Sequence, residues 1–193
     1  MKVLKTSIDE VDGKVISQAI SVLADGGVVL YPTDTVYGLG ANIFDNKAVR
    51  RVFDIKHRSY LKPLSILVSD VGTIDLVAKA SLSQKKTIGE YLPGPYTFIL
   101  KKRKIVPRSV TGGLSNVGVR VPDNEIACRL AGIFPITTTS ANISDDEMLS
   151  RPSEILEQLD CEVDLVIDVG ELKSEKASSI TDLTGLKPKI IRD

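Results

Sequence analysis

The sequence predicts an α/β fold, one domain built on one large sheet that mixes parallel and antiparallel strands. Three observations predict it. Short apolar runs of strand length recur at 28–31, 64–68, 96–100, 117–121, 135–139 and 163–169. Between several of them lie segments with apolar residues at helical spacing. The two kinds alternate without the strict strand–helix–strand order of a purely parallel sheet. A chain of 193 residues is long enough for one real core and short for two, so 1–193 reads as a single domain.

Composition narrows the function classes. Hydrophobic residues at 42% and charged residues at 26% are ordinary for a soluble globular protein. With 25 basic and 25 acidic residues the chain is not a polyanion binder as a whole, and any nucleic-acid contact needs a local patch. Cys128 and Cys161 form no CxxC pair, which points to a reducing, cytoplasmic setting and gives no sign of a metal site. The single histidine, His57, excludes His-rich metal centres and speaks against a Ser-His-Asp triad. The opening MKVLKTSIDE lacks the apolar core of a signal peptide, and no apolar run has membrane-spanning length.

In order along the chain, 3–8 is expected as a first strand. Val15, Ile16, Ala19, Ile20 and Leu23 then mark a helix closed by Gly26 and Gly27. The run 28–31 is a buried strand that Pro32 stops, because proline has no N–H for the ladder. Thr33, Asp34, Thr35 and Tyr37 crowd the following turn, and Gly38 and Gly40 allow close backbone approach. Such a loop is either a ligand site at a strand end or a hydroxyl-rich turn. Asp45 caps a helix with Ala48, Val49, Val52 and Phe53 on one face. It ends at Lys56-His57-Arg58.

Strand 64–68 follows, then helices at 71–80 and 83–91, broken by Pro93-Gly94-Pro95. Strand 96–100 leads into a basic loop, 101–104. Strand 117–121 carries Arg120 and is ended by Pro122. Asp123 caps a helix that Gly132 ends. Strand 135–139 runs into Ser140-Ala141-Asn142. An exposed loop at 145–150 precedes a helix from Pro152 to Leu159. Strand 163–169, a charged loop at 173–176, strand 179–183 and a last strand at 189–192 complete the chain.

Four features carry candidate chemistry, each with a plainer alternative. Lys56-x-Arg58 is either a pair of cations on a helix end or a phosphate clamp, since a guanidinium fork and a compact ammonium suit a triphosphate. Lys62 adds to the same field. Ser140 and Asn142 either cap a turn or face a nucleotide from a strand end, where Ser140 donates to a phosphate. Arg120 either faces solvent or offers its guanidinium to a carboxylate. The basic run 101–104 is either a solvated loop or a phosphate-backbone patch. There is no GxxxxGK[ST], so this is not a P-loop protein.

Taken together, these motifs resemble the YrdC/Sua5 family of threonylcarbamoyl-AMP synthases. The chain carries YPTDTVYGLG (31–40), KHR (56–58) with Pro63-Leu64, PGPYT (93–97), VGVRVP (117–122), TSANIS (139–144) and SSITDL (178–183) in the family's order. It departs from the family at Ser59, where proline is usual, at 145–148, where glycines are usual, and at 177–179, where the family has EST. Arg151, which follows the second of these, is therefore left without a site role.

The resemblance implies a twisted mixed α/β sheet with a concave, positively charged cavity. It implies a nucleotidyltransferase that converts L-threonine, bicarbonate and ATP into L-threonylcarbamoyl-AMP and pyrophosphate, with Mg²⁺ carried by ATP. Other proteins then pass the carbamoyl group to adenosine 37 of tRNA, making t6A. Lys56, Arg58, Ser140 and Asn142 match the family's catalytic tetrad around the nucleotide. Lys62 and Ser178 match ATP-side positions, and Thr35, Arg120 and Thr138 match positions near threonine. The competing expectation is a non-catalytic module that binds tRNA or double-stranded RNA on the cavity rim and the 101–104 run.

Overall fold

In the computed structural model, which describes residues 1–174 and 176–193, two hydrogen-bonded ladders meet at one seam. The chain runs β1 (Lys2–Lys5), α1 (Gly13–Ala24), β2 (Val29–Tyr31), β3 (Gly38–Gly40), α2 (Asn46–Ile55) and β4 (Ser65–Leu67). It continues through α3 (Ile74–Val77), β5 (Ala78–Lys79), α4 (Leu82–Tyr91), β6 (Tyr96–Lys102), α5 (Arg108–Thr111) and β7 (Asn116–Arg120). It ends with α6 (Glu125–Leu130), β8 (Ile136–Thr138), α7 (Pro152–Leu159), β9 (Leu165–Asp168), β10 (Ser179–Asp182) and β11 (Lys189–Arg192).

The smaller ladder has the order β1-β9-β2-β3 and the larger β11-β10-β6-β7-β4-β8, with β5 beside β6. Parallel pairs (β1 with β9, β2 with β9, β4 with β7, β6 with β10) sit beside antiparallel ones (β2 with β3, β6 with β7, β4 with β8). Strand directions are mixed, as expected, but the one large sheet expected is two, a four-stranded and a seven-stranded one that meet at a seam of isolated bridges. The seam lies between β3 and β8, where isolated bridges join Gly38 to Ser140 and Asn42 to Ile136. Backbone bonds from Leu39 to Thr139, Thr137 to Ala41 and Ala141 to Tyr37 carry hydrogen bonding across it. Ser140 therefore leaves the larger ladder at the point where the smaller one ends.

Alternation along β2 sends its side chains into two cores. Val29 and Tyr31 pack with α1 and α6 through Val15, Leu23, Ile126 and Leu130. Val28 and Leu30 pack on the opposite face with α2, whose Val49, Val52 and Phe53 cover the sheet. Caps start these helices locally. Asp12 accepts from the Lys14 amide, and Asp45 accepts from the amides of Lys47 and Ala48.

Several boundaries differ from expectation. The 71–80 stretch is one short turn, α3, followed by β5, because Ala78 and Lys79 pair with the end of β6. That pairing, and the pairing of Lys101 with Asn116, extends β6 through Lys101 and Lys102, so half of the expected basic loop is strand. Asn124, not Asp123, caps α6 by accepting from Ala127, while Asp123 gives its amide to Asp34. Gly38 and Gly40 lie inside a strand, with the Tyr31 ring over them. A Cβ on Gly40 would meet Tyr31 Cε1 at 2.8 Å. The expected charged loop at 173–176 includes position 175, which lies outside the described residues.

Candidate functional site

The seam opens into a cavity of about 430 Å³. Its walls come from the β2–β3 loop (Thr33, Tyr37), the segment after α2 (Arg58, Pro63), β6 and β7 (Thr97, Gly118, Arg120), the end of β8 (Thr138, Ser140), and the C-terminal strands (Ser178, Arg192). At the floor, a Cβ on Gly118 would stand 2.5 Å from Ser65 Oγ and 3.2 Å from Thr97 Cγ2, so only glycine leaves that space open. A larger open recess of about 980 Å³ lies on the outer surface beside α2 and α5, lined by Arg50, Tyr60 and Arg108. None of the candidate residues lines it, and the chemistry converges on the smaller cavity.

One wall is built around Arg120. It is 6% exposed, so the solvent-facing alternative does not hold. Its Nη2 donates to Thr35 Oγ1 at 2.8 Å and to Asp34 Oδ1. Asp34 Oδ2 in turn accepts the Asp123 amide at 3.1 Å. Thr35 is fixed by Thr33, whose hydroxyl lies 3.0 Å away and bonds the Val36 carbonyl at 2.7 Å. Arg120 Nε is buried and has no partner among the described residues. Asp34 thus supplies one carboxylate from the chain itself, and the guanidinium, which also lines the cavity, engages Asp34 and Thr35 through Nη2 alone and keeps further donors for a second anion.

The facing wall holds Arg58. Its Nε and Nη2 donate to the carbonyls of Lys62 (3.3 Å) and Pro63 (2.9 Å), which fix the group without neutralising it. Burial lowers its pKa, Asp145 opposes this, and Arg192 adds repulsion. Arg192, on β11, donates twice to the Ser178 carbonyl, at 3.0 and 2.7 Å. Ser178 is buried, and its hydroxyl lies 2.8 Å from Thr97 Oγ1. Three arginines thus reach one cavity; Asp182 is the one acidic residue among its described lining residues, and Asp34 pairs with Arg120 from behind the wall.

Lys56 and Arg58, expected as two arms of a clamp, are separated. Arg58 lines the cavity, whereas Lys56 is 1% exposed and stands behind the wall. Its Nζ lies 2.5 Å from the Ser140 carbonyl, 2.6 Å from the Asn142 carbonyl and 3.0 Å from Asn142 Oδ1. Three oxygens occupy its three donors. Burial pulls its pKa down to about 7, helped by Arg58 and opposed by Asp145.

Asn142 is also buried behind the wall. It accepts from Ser140 Oγ at 2.7 Å and donates to the Asp146 carbonyl at 2.8 Å. Thr138 does line the cavity and accepts from the Tyr31 hydroxyl at 3.0 Å. Lys62, expected on the ATP side, is exposed, does not line the cavity and lies 2.9 Å from Asp145. Arg151 is exposed and pairs with Glu171 at 2.8 Å.

Sequence reasoning missed Arg192, Thr33 and Thr97. Thr33 and Thr97 sit inside quoted motifs without an assigned role. Arg192 has no local signal, since it reaches the cavity only through the pairing of β10 with β6 and β11. Among the described residues no group of three or more His, Cys, Asp or Glu lies together as a metal site, and no helix is long and apolar enough to cross a membrane.

Comparison with known proteins places this cavity in context. The family model Sua5/YciO/YrdC, described as telomere recombination, matches residues 21–193. A Methanocaldococcus jannaschii protein provisionally named threonylcarbamoyl-AMP synthase is 41% identical over 93% of this chain and 86% of its own length. The threonylcarbamoyl-AMP synthase of Pyrococcus abyssi is 36% identical over 90% of this chain. This chain spans 52% of that enzyme. The crystal structure of P. abyssi Sua5 complexed with L-threonine superposes with a TM-score of 0.93 at 33% identity, over all of this chain and 57% of that one. The crystal structure of Escherichia coli YciO superposes with a TM-score of 0.89 at 31% identity, over all of this chain and 94% of that one.

Proposed function

The chain belongs to the Sua5/YciO/YrdC family, and on that premise we infer that it is a threonylcarbamoyl-AMP synthase acting in tRNA modification. The observation that carries the reading is one cavity lined by three arginines, Arg58, Arg120 and Arg192, with two chemically different ends. Arg120, steadied from behind by Thr35, lines an end suited to an amino-acid carboxylate, and Arg58 and Arg192 line an end suited to phosphates. The L-threonine complex of a 33% identical relative supports the first assignment.

In this reading residues 1–193 act as one catalytic unit of the nucleotidyltransferase class. The amine of threonine and bicarbonate give a carbamate with loss of water. A carbamate oxygen then attacks the α-phosphorus of ATP, and pyrophosphate leaves. No protein nucleophile is needed, so the residues contribute position and charge. Arg120 and Thr35 hold the threonine end, with Thr138 beside them. Arg58 stands where the departing charge develops, Ser140 and Ser178 meet the substrate from the cavity wall, Asn142 acts from behind that wall by holding Ser140, and Lys62 adds its charge from outside the lining. Mg²⁺ enters with ATP as part of the substrate. The product is labile and is passed to downstream carbamoyl-transfer proteins that act on tRNA in the cytoplasm.

The test is pyrophosphate release from ATP. Release that requires both L-threonine and bicarbonate is the expected result. Release that ignores either one, or no release in a protein that binds ATP, overturns the reading.

A further inference from the structure

The three oxygens around Lys56 determine more than where its charge sits. An ammonium only donates hydrogen bonds, so the Asn142 amide atom facing it is the oxygen. The other end of that amide, the nitrogen, donates to the Asp146 carbonyl at 2.8 Å. An amide oxygen only accepts. Ser140, with Oγ 2.7 Å from Asn142 Oδ1, therefore gives its proton to that oxygen. What Ser140 offers to the cavity is lone pairs. That reverses the expectation that it donates to a phosphate.

We propose that Lys56 is a positioning residue that acts through the Asn142 amide to hold Ser140 as a hydrogen-bond acceptor, and that it does not itself touch substrate. The group Ser140 takes is then an O–H or N–H of the substrate, a hydroxyl or an ammonium, and not a phosphate oxygen. The proposal deepens the synthase reading and rests on it for its kinetic arm. It assigns the ammonium of the KHR motif to polarity and leaves the anion to Arg58, which lines the cavity while Lys56 does not.

The arrangement depends on the Lys56 proton. A neutral amine has a lone pair and accepts as well as donates. The amide of Asn142 is then free to turn, and Ser140 loses its fixed polarity. The charged groups facing Lys56 are Arg58, which drives the proton off, and Asp145, which retains it. Burial is the larger influence and brings the pKa down to about 7. The lock is therefore complete on the acid side of neutrality and lost on the alkaline side.

The experiment is a pH profile of kcat/KM for threonine-dependent pyrophosphate release, which reports the free enzyme. The wild-type protein should lose activity as pH rises through neutrality. Ser140→Ala should be slower by about ten-fold or more, the scale of a hydrogen bond to a charged or strongly polarised group, and should lack that descending limb. Lys56→Met should be slow and flat. The double variant should be no slower than the worse single one, because both act through the same oxygen. A wild-type profile that is flat across neutrality, a limb that survives in Ser140→Ala, or losses that multiply in the double variant would each overturn the proposal. If Lys56→Met does not fold, the Ser140→Ala profile decides alone. If the wild-type protein makes no threonylcarbamoyl-AMP, it is the synthase reading that fails. A crystal structure of Lys56→Met then decides the role of Lys56, since an undisturbed 140–142 turn overturns it and a reoriented Asn142 amide supports it.

Discussion

Arg120 and Asp34 are buried together, at 7% and 10% side-chain exposure, and removing one charge strands the other. Arg120→Ala is expected to cost about 3–5 kcal/mol of stability, the usual penalty for an uncompensated buried carboxylate. Arg120→Lys keeps the charge but loses the planar fork. It should melt closer to wild type and raise the threonine requirement more than the ATP requirement. Equal losses for both substrates would place Arg120 outside the threonine end. Arg58 differs because its own loop carbonyls hold it and no buried partner depends on its charge. Arg58→Ala should fold normally and bind ATP about ten-fold more weakly by titration calorimetry. Unchanged affinity would remove Arg58 from the phosphates. On the sequence alone, Asn142→Ala would leave the melting temperature nearly unchanged if the residue faces a nucleotide and cost roughly 1 kcal/mol if it caps a turn. In the structure it deprives Lys56 of an oxygen and the Asp146 carbonyl of a donor. The expected result is now a loss of about 1–3 kcal/mol together with activity.

At the scale of elements, the starts of α2 and α7 were legible, the cap of α6 was misplaced by one residue, and the strand ends were not legible. Asp45, Pro152 and the apolar faces of α1 and α2 act within a few residues of themselves. The extent of β6 depends on β5 and β7, which are distant in sequence. The glycines of the YPTDTVYGLG motif show the same limit. Their spacing marked a close approach, but the approaching group is the Tyr31 ring of the neighbouring strand. Gly40→Ala should therefore destabilise by about 1–3 kcal/mol in a denaturant melt, through overpacking against Tyr31 and Ile136. If Gly40→Ala is neutral, the ring is not held over the strand as described.

For the whole molecule, Lys56 gives stability a pH dependence with a definite sign. Its pKa is about 7 folded against 10.5 for the free side chain, so between those values the unfolded chain holds more protons. Stability should then rise as pH increases from about 7 toward 10, and Lys56→Met should flatten that rise. Denaturant midpoints measured across this range check it. Tyr31 works against this at higher pH. Burial raises it to about 12, so folding holds its proton and stability falls above pH 10. The RNA-binding alternative belongs to this scale as well. Of the basic run, Lys101 and Lys102 are in β6 and Lys102 donates to the Val106 carbonyl. Any RNA affinity carried by such a patch should fall steeply with added salt.

By itself, the sequence determined the mixed α/β class, the starts of helices such as α2 and α7, and the order of the motifs, because each depends on spacing, capping and turn residues that act locally. It also marked 31–40, 56–58, 117–122 and 139–144 as the segments that matter. Only the tertiary structure decided which side chains in those segments face the cavity. Lys56 and Arg58 are two residues apart, yet a helix end turns one into the wall and the other into the opening. Arg192 joins the site from the last strand through pairings that no local pattern encodes. Burial, hydrogen-bond direction and charge neighbourhood are properties of groups brought together across the chain, and for that reason they were settled by the fold.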